Sequence, residues 1–380
     1  MRLKFRTLEA DRCIDTSDGS LLFNNISCLG FHCYKLYYIA VLCLLVGCAS
    51  EEEALSPSTP QQPVALEPIR VVVPEYTQRD SLQGPANSLS DYVPITDLSG
   101  NMSSSGSDTF ANLMTLWTEA FKRYYPSVNI QVQAAGSSTA PPALAEGTVN
   151  LGPMSRPMRA KETEPFERNF GYRPTALRVA MDALAIYVHK DNPLDQLTLQ
   201  ELDALYSSTL RCGGRQPIDF WGELALKGSW QERPIQLFGR NSVSGTYGYF
   251  KQSALCSGDF KNDVNEQPGS ASVVQAVAST LNGIGYSGLG YKTSGVKALK
   301  LNTGKAVLLP TAQNAISGEY PFSRYMYLYI NKKPGQSLPP LEREFIKFIL
   351  SKEGQAIVEK DGYVPVQPDI ANVELRKALI

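Results

Sequence analysis

The sequence predicts an α/β fold with mainly parallel sheets, and two observations carry that prediction. Short apolar or alternating runs, PSVNIQVQAA, GTVNLGPM, ALAIYVHK, RPIQLFGR, GIGYSGLGY and SRYMYLYINK, end in turn residues and read as strands. Helical periodicities lie between them, and strands alternating with helices imply crossover connections in a parallel sheet. With 380 residues, 43% hydrophobic and 19% charged, the chain can bury a large core as one large domain or two. The formal net charge of −1 gives no electrostatic footprint for nucleic acid, so a bound anion must be held by local geometry.

The front end differs from the rest. Of the seven cysteines, those at 13, 28, 33, 43 and 48 precede the body, which holds Cys212 and Cys256. From Lys35 the chain runs KLYYIAVLCLLVGCAS, whose apolar run over 36–46 is too short for a comfortable membrane span and has the length of a signal-peptide core. Its end, LVGC, resembles the lipobox of bacterial lipoproteins, which implies cleavage after residue 47 and a lipid on Cys48. The alternative, a buried helix with a chance cysteine, sits poorly with the acidic, Pro-rich sequence that follows at once. The first 34 residues are long and mixed in charge for a signal n-region, and a start assigned too far upstream accounts for them. Residues 48–95, rich in Pro, Ser, Gln and Glu, read as a tether apart from a short strand at 69–73. Export permits a disulfide between Cys212 and Cys256, with two separate buried thiols as the alternative.

The body is expected to start near Ile95. Its best helix is DTFANLMTLWTEAFKRYYP, where Phe110, Leu113, Met114, Trp117, Phe121 and Tyr124 mark one face and Pro126 stops the helix. TLQELDALYS, SGTYGYFKQSAL, ASVVQAVAST and PLEREFIKFILSKEGQAIVEK also read as helices.

Three strand-to-helix junctions share a chemistry: SSSGSDTF (103–110), AAGSSTAPPALAEG (134–147) and RNSVSGTYGYF (240–250). A helix N-terminus exposes unpaired N–H donors and a partial positive charge, so Gly and hydroxyl residues there can cradle an anion. Each alone is an ordinary cap. Arg240, four residues before Ser244, and Arg156, in MSRPM, add planar forks suited to a tetrahedral anion. For Arg156 an ordinary salt bridge is the competing reading.

The order SSGSDTF, amphipathic helix, VNIQVQAAGSST, GTVNLGPMSRPM, LAIYVHKDNPL, GRNSVSGTYGYF, GIGYSGLGY resembles the substrate-binding proteins of phosphate ABC transporters, the PstS-like family, over residues 96–366. The resemblance implies a two-lobed periplasmic-binding-protein fold of type II, crossed twice by the chain, with dehydrated phosphate in the cleft. Lobe one would be 96–181 plus 286–380, and lobe two 182–285. The ligands it implies are Ser107, Thr109 and Phe110 (through its N–H), Ser137 with Ser138 and Thr139 adjacent, Ser155, Arg156, Arg240, Ser244, Gly245 and Thr246. Well-known members carry, where Ser155 stands, an aspartate that accepts the proton of bound phosphate. Asp108 is the candidate replacement: it either accepts from the anion or caps its helix.

Rival chemistries lack their residues. GIGYSG matches G-x-G-x-x-G but lies inside a strand-like run. After cleavage only His189 remains, which argues against a catalytic triad and a His-based metal site, and no Walker lysine motif is present. The expectation is a lipid-anchored monomer of the bacterial periplasm or cell surface, without cofactor, metal or catalysis, that binds inorganic phosphate and hands it to an ABC permease. The alternatives are another oxyanion (sulfate, arsenate or an organic phosphate), a phosphoester-acting enzyme, or a phosphate-sensing surface lipoprotein.

Overall fold

In the computed structural model the described residues are 89–379. The expected signal segment, Cys48 and the expected tether up to residue 88 lie outside them. In chain order the elements are β1 (Gly100–Ser105), α1 (Ala111–Tyr124), β2 (Val128–Gln133), α2 (Ala140–Ala145), β3 (Leu151–Met154), α3 (Ala160–Phe170) and β4 (Thr175–His189). Then come β5 (Gln196–Thr198), α4 (Leu199–Tyr206), β6 (Gln236–Arg240), α5 (Gly245–Ala254), β7 (Asn265–Gln267), α6 (Ser270–Ser279) and β8 (Gly283–Gly288). The chain ends with β9 (Val296–Ala298), β10 (Lys300–Asn302), β11 (Val307–Leu308), α7 (Ala312–Ile316), β12 (Ser323–Ile330), α8 (Pro340–Ile349), α9 (Lys352–Lys360) and α10 (Pro368–Leu379).

The main sheet has the order β2-β1-β3-β12-β4-β8-β6-β7, with β9 also on β4. Its flanks are parallel, but β12 runs antiparallel to β3 and β4, and β4 antiparallel to β8, so the sheet is mixed rather than mainly parallel. The reason is β4. It pairs with β12 from Thr175 to Ala183 and with β8 from Leu184 to Val188, so one strand serves both halves and its neighbours return against it.

Each half has its own core. The first collects Leu113, Met114, Trp117 and Phe121 of α1 with Phe345 and Phe348 of α8, while Tyr124, on the expected face, is largely exposed. The second is built on Leu184, Ile186, Trp221, Phe250 and Tyr286. It also takes in Leu299, Leu301, Ala315, Tyr320 and Phe322. The segment 296–322, assigned to lobe one on resemblance, therefore packs with the second core, and the chain rejoins the first at β12. The packed body also begins before Ile95: Tyr92 is buried, its N–H donates to Glu353 Oε2 at 2.7 Å and its ring meets Phe348 edge-on.

Cys212 and Cys256 form a disulfide with Cα atoms 5.1 Å apart, closing a loop of sequence separation 44. Asp203 Oδ2 accepts from the N–H of Cys212 and of Gly214, at 2.8 and 3.0 Å, and so fixes one end of the bridge. A closed loop of this size restricts the unfolded chain by about 4 kcal/mol. The Cys212→Ala/Cys256→Ala double variant should lose roughly that much stability in urea unfolding, with the midpoint of the oxidised wild type dropping similarly on reduction. No helix among the described residues is long and apolar enough to cross a membrane.

Candidate oxyanion-binding site

Three of the strand-to-helix junctions converge. After β1 the chain turns at Gly106, with Ser107 N–H donating to Pro153 O at 2.7 Å, and enters a short 3-10 turn at Asp108–Phe110. After β2 a second 3-10 turn, Ser137–Thr139, leads into α2, and β6 delivers Arg240 just before α5. Ser155 follows β3 directly. Ser107, Thr109, Ser137, Ser155, Arg240, Ser244 and Thr246 are all at most 5% exposed.

The hydroxyl groups form two connected rows. Ser107 Oγ donates to Ser155 Oγ at 3.1 Å, which lies 3.2 Å from Ser137 Oγ, and Ser155 N–H donates to Ser137 Oγ at 3.1 Å. Thr109 Oγ1 lies 3.0 Å from Thr246 Oγ1 and 3.5 Å from Ser270 Oγ. Gly245 lets α5 close on the first row, because a Cβ there would fall well inside contact distance of Ser137 Oγ and Ser155 Oγ. Ser244 caps α5, its Oγ accepting from Thr246 N–H at 3.1 Å and Tyr247 N–H at 3.4 Å, which leaves its O–H to donate elsewhere.

Arg240 reaches the second row. Its Nη1 donates to Ser270 Oγ at 2.7 Å and lies 3.0 Å from Asp108 Oδ2; its Nη2 donates to Pro268 O at 2.9 Å, and its Nε has no partner among the described residues. Burial pulls the guanidinium below its usual pKa while the Asp108 charge pulls it back up. An arginine so placed stays charged at physiological pH. Burial likewise raises the Tyr286 phenol, which accepts Arg240 N–H at 3.2 Å, and the Tyr291 phenol, which donates to Asp108 O at 3.0 Å.

Several residues that the resemblance places in the ligand set also have partners within the protein. Arg156 Nη1 and Nη2 donate to the two carboxylate oxygens of Glu162 at 2.7 and 2.6 Å, and Nη2 also reaches Ser138 Oγ at 3.2 Å. Burial resists ionisation of Glu162, but hydrogen bonds from Arg156 and from Arg159 N–H hold it below the usual carboxylate range. The salt-bridge reading of Arg156 is therefore the one its geometry satisfies, because Glu162 on the first turn of α3 is in bidentate reach. Phe110 N–H donates to Ser107 O at 3.1 Å, which closes the 3-10 turn. Thr139 Oγ1 donates to Gly136 O at 2.9 Å and lies 3.1 Å from Ser105 Oγ, while Ser138 N–H donates to Val243 O at 3.1 Å. Asp108 neither caps its own turn nor lies free: Oδ2 accepts Ser270 N–H at 2.7 Å, at the start of α6, beside Arg240. Its outer side borders a groove of about 820 Å³ shared with Asn112, Gln275, Tyr291 and Asp361.

Three residues bonded to this cluster were not singled out in the sequence. Ser270 opens a fourth junction of the same kind, in PGSAS, and that signal was available. Arg324 shares the buried face of β12 with Met326 and Leu328, and a charge on such a face was the second signal. Asp182, its carboxylate partner at 2.8 Å, is distant in sequence and gave none. The GIGYSG stretch is the buried strand β8, not a phosphate loop. His189 accepts Asp191 N–H at 3.2 Å in a surface turn.

A family model described as the PBP superfamily domain matches residues 94–353. The phosphate-binding protein PstS of Pseudomonas aeruginosa is 59% identical over 291 residues, 76% of this chain and 90% of its own length. The phosphate-binding protein PstS of Staphylococcus aureus is 28% identical over 71% of this chain and 79% of its own. Among solved structures, a substrate-binding protein assigned to a phosphate ABC transporter of Clostridium perfringens, holding bound phosphate, superposes with a TM-score of 0.60 at 28% identity, over 70% of this chain and 100% of that one. The chain therefore belongs to the PBP superfamily and, within it, to the PstS-like phosphate-binding proteins.

Proposed function

We propose that this chain captures inorganic phosphate in the cleft between its two cores and delivers it to the permease of an ABC importer. The convergence of Ser107, Thr109, Ser137, Ser155, Thr246 and Arg240 from distant segments into one buried cluster carries the reading. Rotatable O–H groups and the N-terminus of α5 replace the anion's water shell, and Arg240 offsets its charge. The two lobes are 89–183 with 323–379, and 184–322; β4 and β12 are the two crossings, and rotation about them opens and closes the cleft. No covalent step is involved. The protein works as a monomer from the bacterial envelope, held by a lipid on Cys48.

Selectivity takes a different form without a carboxylate at position 155. Asp108 is turned to Ser270 N–H and Arg240, so the proton of bound phosphate falls to a serine oxygen of the Ser107, Ser137 and Ser155 row. A hydroxyl can accept that proton or turn to donate, so it discriminates less sharply than a carboxylate. Calorimetric titration of phosphate-stripped protein at two pH values should show tight phosphate binding and weaker, competing binding of sulfate. Tight sulfate binding unaffected by phosphate would overturn the reading.

A further inference from the structure

Arg156 gives both of its Nη groups to Glu162, whereas Arg240 keeps Nη1 on the hydroxyl of Ser270 and is one cation for a doubly charged ligand. A second buried guanidinium points at the same hydroxyl row from the other side. Arg324, 6% exposed, donates from Nη2 to Thr246 Oγ1 at 2.9 Å, and its Nη1 is buried with no partner among the described residues. Thr246 Oγ1 is the atom that meets Thr109 Oγ1, so the order across the site is Arg324, Thr246, Thr109, Ser270, Arg240. Arg240 and Arg324 thus reach one connected set of hydroxyls from its two ends.

What holds Arg324 there is Asp182, fully buried, whose Oδ2 accepts from Nε at 3.1 Å and Nη2 at 2.8 Å. Its Oδ1 accepts Leu289 N–H at 3.1 Å, just beyond β8, and a Cβ on Gly288 would crowd the carboxylate. The pair thus joins β4, β12 and the end of β8 where the two halves of the sheet meet. An ion pair so buried contributes little stability relative to an apolar pair, so it calls for a role beyond packing.

We infer that Arg324 is the second cationic ligand of the bound phosphate, through its unpaired Nη1, and that Asp182 is the positioning residue that aims it. This rests on the phosphate-binding reading above. Binding the dianion at Arg324 couples the ligand to both crossing strands, and closure of the cleft brings Thr246 to the guanidinium.

The test is calorimetric titration of phosphate into stripped wild type, Arg324→Lys and Arg324→Met/Asp182→Asn, at pH 6 and pH 8, with Lys251→Ala as control. The double variant removes both charges together, so no carboxylate is left unpaired. It is expected to bind phosphate at least 100-fold more weakly at pH 8, where the dianion dominates, and to lose distinctly less at pH 6. The lysine variant, which keeps the charge without the fork, should lose about tenfold, and the control should match wild type. The inference is overturned by a folded double variant within threefold of wild type, or by equal losses at both pH values, which mark a merely structural role. Should the double variant not fold, wild-type affinity in Arg324→Lys at both pH values overturns it equally. Absence of phosphate binding in wild type sinks the functional reading itself.

Discussion

Replacing Arg240 by alanine should lower phosphate affinity by about 1,000-fold, whereas Lys251→Ala, further along the same helix-containing segment, should leave it unchanged within twofold. Arg240 is 1% exposed, donates to Ser270 Oγ and lies beside Asp108, so its loss removes a positive charge from a dehydrated cleft and leaves the Asp108 charge facing the anion. Truncating one member of a buried, charge-assisted set costs about 4 kcal/mol, which is the factor of 1,000. Lys251 pairs with Asp259 at 2.8 Å on the surface, where an ion pair contributes little and is screened. Calorimetry on both variants reads the difference, and equal losses would mean that the cleft has been misplaced.

Gly245→Ala should weaken phosphate binding about 100-fold while leaving the unliganded protein as stable as wild type. Gly245 is the first residue of α5, where alanine is the better helix former, so the local helix does not suffer. The added methyl meets Ser137 Oγ and Ser155 Oγ across the site, and the prediction is that opening of the unliganded cleft relieves this contact. Overpacking a tight contact costs about 1–3 kcal/mol, and a penalty of that size falling on closure alone appears as lost affinity. Thermal melts without phosphate should then coincide, and melts with phosphate should separate. A variant that binds as wild type would show that the two serines are not closed upon by α5.

The features of the fold and site that are legible in the sequence are local ones. The α1 face, the three strand-to-helix junctions and the hydroxyl residues in them are written within a few residues of one another, where periodicity and turn chemistry operate, although only Ser244 caps its helix through its side chain. Arg240 was legible because it lies four residues before its own helix cap. The misplacements have a common physical origin in contacts that sequence distance hides. Glu162 lies six residues past Arg156 and across a turn, so the salt bridge could be named as an alternative and not decided. Asp182 and Arg324 meet only because β4 and β12 pair antiparallel, and neither strand's pattern announces its neighbour. The segment 296–322 holds strands of two and three residues, too short to show a period, and its allegiance to the second core follows from long-range pairing. Tyr92 was hidden by the polar composition around it, since one aromatic anchor does not alter the character of a tether.

A crystal structure of the mature protein grown in phosphate is the most direct test of the central claim, that phosphate is held between the Ser107, Ser137 and Ser155 row and the Thr109 and Thr246 pair. One buried phosphate is expected, with oxygens about 3 Å from those hydroxyls and from the Arg240 guanidinium. An ordered phosphate found only outside this cluster, with Arg240 and the serines bonded to one another as before, would contradict it.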